Sequence, residues 1–144
     1  MPQTSRWRTL GRTLIALGSL FGATVSTLAL RVHYSTDTQP CDINAKWDCG
    51  IVNHSRFAMF HGVPVAVFGI VGYLVLFLLS FSRRPGLLFL ASLAGCAYAL
   101  YLTWIEAHLL EVWCLYCVIS QVTIAALVVL SALLLLGRER TPRL

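Results

Sequence analysis

Two stretches of this chain, Val63–Phe81 and Leu87–Ile105, each run for 19 residues without a charged side chain, and only a short turn separates them. About 20 helical residues cross the hydrocarbon core of a bilayer. Two further apolar runs, about Thr13–Val32 and about Trp113–Leu136, flank this pair. Each is apolar around its circumference rather than along one stripe, and the alternating segments of a closed barrel are absent. The expected fold is therefore an all-α integral membrane protein. It is a single domain over residues 1–144, built as a four-transmembrane-helix bundle with an outer loop and short-helix cap at about 33–62. The composition agrees, with 58% hydrophobic and 12% charged residues, where a soluble domain carries about 25% charged. Disorder, a small disulfide knot and a DNA-binding module are excluded.

The charges orient the spans. Arg6, Arg8, Arg12, Arg83, Arg84, Arg138, Arg140 and Arg143 fall on one side with a single acid, Glu139. The other side holds Arg31, Lys46 and Arg56 against Asp37, Asp42, Asp48, Glu106 and Glu111. The positive-inside rule places both termini in the cytoplasm and the long loop outside. The net charge of +5 is mostly this topology signal, so it does not indicate nucleic acid. The first run competes with a signal peptide cleaved after Ala29. It is longer than a usual signal core, and Gly18, Gly22 and Ser26 repeat every four residues, a helix-packing pattern suited to a retained span. Ala91, Gly95 and Ala99 repeat the pattern in the third run.

Four of five cysteines lie on the outer side. Cys41 and Cys49 sit in the long loop, where a structural disulfide is the plain reading. Cys114 and Cys117 form Cys-Leu-Tyr-Cys at the start of the fourth run. A bridge between residues three apart closes almost no loop, so that pair points to redox or metal chemistry. A helix start favours a thiolate at Cys114, and Cys117 lies on the same face, about 4.5 Å deeper. Asp48 is a candidate N-cap that would place Cys49 at the first position of a short helix. Two cysteine pairs on one side favour an electron relay over two staples. Phe57 and Phe60 suit membrane anchoring or cofactor contact, and Trp104 and Trp113 an aromatic belt. Cys96, beside Gly95, reads as packing. Zinc is set aside: His54 and His61 lack a paired ligand spacing, and an oxidising face is hostile to zinc thiolates.

The ensemble resembles the vitamin K epoxide reductase family. It combines the loop pair Cys41 and Cys49, Ser55 six residues on, the CxxC of Cys114 and Cys117, the flanking Asp42 and Trp47-Asp48, and Phe68-Gly69. The resemblance covers roughly residues 10–136. It implies a bundle around a quinone of the ubiquinone or menaquinone, vitamin K-like type. In bacterial relatives electrons pass from a partner's thiols to the loop pair, then to the CxxC, then to the quinone. Cys41 would face the partner, Cys49 would exchange with Cys114, and Cys117 would lie nearest the quinone. Ser55, Phe57, Phe60, Phe68 and Gln121 are the expected quinone contacts. Vertebrate members hold the vitamin K head group with an Asn and a Tyr, where this chain has Val65 and Gln121. The resemblance therefore favours a bacterial inner-membrane thiol:quinone oxidoreductase serving a separate, periplasmic DsbA-like or thioredoxin-fold protein. The rivals are a thiol-driven vitamin K quinone or epoxide reductase, and a non-catalytic membrane module with a structural loop disulfide.

Overall fold

The computed structural model describes residues 2–140. Helix α1 runs Pro2–Tyr34. A loop leads to the short helix α2, Cys49–His54, and a single 3-10 turn, Arg56–Ala58. Two short strands follow, β1 at Met59–Phe60 and β2 at Val63–Pro64. Then come α3, Val65–Ser80, α4, Pro85–Ile105, and α5, Leu115–Glu139. A π-helical turn, Glu106–Leu110, continues α4.

The segments Gln3–Tyr34, Pro85–Leu110 and Leu115–Glu139 are long and apolar enough to cross a membrane, while α3 has only 16 residues. The chain is thus an all-α membrane protein with three full-length apolar helices and one shorter one. The expected span at Val63–Phe81 loses its first residues to β2. Pro64 has no N–H to donate and serves as the cap at which α3 begins. Met59 pairs with Pro64 and Phe60 with Val63. His61 and Gly62 link them with φ of 49° and 83°, the positive values that a two-residue type I′ hairpin turn requires. At the other end of α3, Pro85 opens α4 at its first turn, where a missing N–H costs nothing.

Around the bundle the order is α3, α1, α5, α4, with the α3–α4 seam the lightest contact of the ring. The small residues of α1 permit the close approach. A Cβ on Gly18 would come within 2.9 Å of Leu127, and one on Gly22 would fall inside the Tyr73 ring. Ile15, Tyr73, Leu76, Leu88, Ile124, Leu127 and Leu134 form the core. Two hydroxyl contacts cross between helices at this depth: Tyr73 donates to the Ser120 carbonyl at 2.8 Å, and the Ser92 and Ser131 hydroxyls meet at 3.0 Å. Large apolar side chains such as Leu78, Leu90 and Val129 face outward, as a lipid-solvated surface requires.

The two ends differ. Arg138 donates to the Arg83 carbonyl at 3.1 Å, and Arg8 to the Gly137 carbonyl at 3.5 Å. This gathers the arginine-rich segments at one end. The cysteine loop covers the opposite end.

Candidate active site

The cap is built by local polar chemistry. Asp48 caps α2, accepting from Ile51 N at 2.9 Å. Asp42 accepts from Gly50 N at 3.1 Å and Gln39 N at 2.6 Å. Burial pushes the Asp42 carboxyl up, but these backbone donors outweigh it and hold it below its ordinary value. Two backbone bonds then clip the loop to the residue before Cys114: Trp113 N donates to Lys46 O at 2.7 Å, and Asp48 N to Trp113 O at 3.0 Å. The Trp47 and Trp113 rings lie together at 6.3 Å between centroids. Trp113 therefore serves the clip; Trp104 remains exposed, stacked on His108.

This clip brings the cysteines together. Cys41 and Cys49 form a disulfide with Cα atoms 5.8 Å apart. Cys114 Sγ lies 3.5 Å from Cys49 Sγ, and Cys41, Cys49 and Cys114 are all buried. Helix α5 begins at Leu115 rather than Trp113, so Cys114 is its N-cap and not a first-turn residue. Its sulfur accepts from Cys117 N at 3.4 Å and from Asn53 Nδ2 at 3.5 Å, the donor pattern that supports a thiolate. Cys96 packs against the core, 3.8 Å from Gln121 Nε2.

Cys117 faces the other way, onto a cavity of about 210 Å³ between α1, α3, α4 and α5 beneath α2. Ser55, Phe57 and Phe68 line it as well. Phe60 and Gln121 are not on its wall. Phe60 is exposed on β1 with its ring edge-on to Phe68; Gln121 turns toward Cys96, leaving its Oε1 buried without a partner. Ala91, Gly95 and Ala99, expected as a packing face, all border the cavity. A Cβ on Gly72, also on the wall, would meet nothing within 4 Å. Small residues on α3 and α4 thus leave an apolar slot open beside a thiol. A flat ring bearing two carbonyl oxygens, such as a quinone head group, suits that slot, with Ser55, Tyr98 and Thr103 among its lining.

Sequence reasoning missed two site residues. Asn53 is buried, donates to Cys49 O at 2.9 Å and reaches Cys114. Its place four residues after Cys49 on one helix face was the available signal. Glu106 is buried and accepts from Cys114 N at 3.1 Å; an acid ending an otherwise uncharged run was its signal.

The sequence model of the vitamin K epoxide reductase family matches residues 13–132, which include all five cysteines. The chain belongs to the vitamin K epoxide reductase family. It is also similar to the rat (Rattus norvegicus) protein named vitamin K epoxide reductase complex subunit 1. The two are 30% identical over 146 residues, covering 87% of this chain and 90% of the relative. Vitamin K epoxide reductase family members are oxidoreductases that use thiols and take quinones as acceptors or substrates. The redox cysteines and apolar helices described above accord with that membership.

Proposed function

We propose that the chain is a membrane thiol:quinone oxidoreductase that carries electrons from a partner dithiol through Cys41/Cys49 and Cys114/Cys117 to a quinone. One observation carries the reading: Cys114 Sγ stands 3.5 Å from Cys49 Sγ while Cys117 lines the apolar cavity. Cys114 is thus the pivot between a loop pair and a thiol beside the slot. In the forward direction a Cys49 thiolate attacks Cys114 of an oxidised CxxC and releases Cys117. Cys41 then attacks Cys49 and frees Cys114. The product holds a Cys41–Cys49 disulfide beside two free thiols at Cys114 and Cys117, the redox state of this structure. The quinone supplies a sink for two electrons and two protons.

In this reading α3 is a fourth span. The arginine-rich end is cytoplasmic and the cap periplasmic, in a bacterial inner membrane, with a DsbA-like or other thioredoxin-fold protein as donor. The test is to give the purified full chain a reduced thioredoxin-fold protein and a ubiquinone or menaquinone analogue. Equal amounts of donor disulfide and quinol are expected, both abolished by Cys117→Ala. No turnover with any quinone or with the epoxide would leave a non-catalytic membrane module. The 30% identity to the rat protein across most of both chains supports a second reading, thiol-driven reduction of vitamin K epoxide. Substituting the epoxide as acceptor in the same assay separates the two.

A further inference from the structure

We propose that Glu106 is a catalytic residue, the group that moves protons between the Cys114 and Cys117 thiols and the substrate cavity. The proposal deepens the thiol:quinone reading and rests on it. Glu106 is the only charged residue type among the buried side chains of the described residues, at 4% exposure. It stands where the α-helical ladder of α4 gives way to the π turn Glu106–Leu110, and such turns recur at functional sites. Its Oε2 accepts from Cys114 N at 3.1 Å. The same residue borders the cavity that Cys117 lines. One carboxyl thus joins the first half of the CxxC to the slot that the second half borders. Burying a carboxyl with no cation against it is costly. Glutamine could accept the same backbone bond at lower cost, so holding Cys114 in place does not explain an acid here.

The chemistry balances without an outside acid or base. Oxidising the pair forms the Cys114–Cys117 bond and releases two electrons and two protons, and reducing a quinone to quinol consumes both. Glu106 takes the proton from Cys117 Sγ, leaving a thiolate, and releases it into the cavity toward the substrate oxygen. Restored, it does the same for Cys114. The other titratable groups on the wall are His33, Tyr73, Tyr98 and Tyr116. His33 Nδ1 is engaged with the Asn53 carbonyl and Tyr73 with Ser120. None of these four side chains hydrogen-bonds Cys114 or Cys117 among the described residues.

Glu106→Gln keeps an acceptor for Cys114 N but cannot carry a proton. The first measurement needs no quinone: the infrared difference spectrum of the full chain in detergent, dithiol minus disulfide at Cys114/Cys117. The wild type should show a change in carboxyl protonation that Glu106→Gln abolishes; identical spectra would overturn the proposal. The second is single-turnover oxidation of the Cys114/Cys117 dithiol after quinone is added. It should slow by about 10²–10⁴-fold in Glu106→Gln, the range of general acid–base catalysis, while Cys49–Cys114 exchange keeps its rate. Equal slowing of both steps would mean a positioning role and would also overturn the proposal. Acetate or formate should restore part of the rate in Glu106→Ala, and no rescue at any concentration would count against proton transfer. A wild type that shows the infrared change yet reduces no quinone would remove the thiol:quinone reading, and the proposal with it.

Discussion

At the residue scale the decisive feature is the place of each sulfur. Cys114 shares its surroundings with Cys49, and Cys117 shares its own with the cavity. In the proposed relay, removing Cys117 deletes the thiol that resolves a Cys49–Cys114 bond on the helix side, and removing Cys41 deletes its competitor in the loop. The Cys41→Ala, Cys117→Ala double variant should therefore accumulate a Cys49–Cys114 disulfide under mild oxidation. Peptide mapping by mass spectrometry would show the link between loop and α5; free thiols at both positions would contradict the relay. Cys96 touches core side chains and Gln121 and no other cysteine. Cys96→Ala should keep turnover near wild type while lowering thermal stability slightly, by about 1 kcal/mol for a lost sulfur in a packed site. Normal folding with lost turnover would require a fifth participating thiol.

At the element scale the cap depends on two acids at the start of α2. Asp42 is lowered in the fold, so its contribution to cap stability is complete above the ordinary carboxylate range. It is lost as pH falls through the lowered value. Acid should therefore part the cap from α5, and Asp42→Asn should flatten that dependence. The emission of the Trp47–Trp113 pair, followed against pH with Trp7 and Trp104 replaced by Phe, would report it. Asp48 as a helix cap and the apolar runs of α1, α4 and α5 were legible in the sequence, because each follows from chemistry within a few neighbouring residues. The β1–β2 hairpin was not: His61-Gly62 lacks the usual Asn-Gly or Asp-Gly signal, and Pro64 was absorbed into an apolar run. Nor were the Trp47–Trp113 clip and the Glu106 carboxyl, since both depend on segments far apart in the chain meeting at one end of the bundle. The expected contact of Gln121 with a quinone rested on the family resemblance, and the helical phase turns its side chain toward Cys96 on α4.

At the scale of the whole molecule, the burial of Cys41, Cys49 and Cys114 makes them poor reporters of sidedness. Exposed positions serve better. In a cysteine-free background, Ile43→Cys on the cap should react with a membrane-impermeant maleimide in intact cells or spheroplasts. Arg84→Cys, in the turn before α4, should react only after the membrane is breached. The reverse pattern would invert the proposed orientation. The brevity of α3 bears on the bilayer itself. Its 16 residues rise about 24 Å, while α1, α4 and α5 exceed the usual hydrocarbon thickness of about 30 Å. With α3 as the proposed fourth span, lipid beside the lightly packed α3–α4 seam would have to shorten or tilt to match, pinching the membrane next to the slot that Cys117 borders. Such mismatch costs fractions of a kcal/mol per Å. Turnover in vesicles should accordingly be highest in short-chain lipid and fall as the acyl chains lengthen, making bilayer thickness a control on how readily a lipid-borne substrate reaches the thiol.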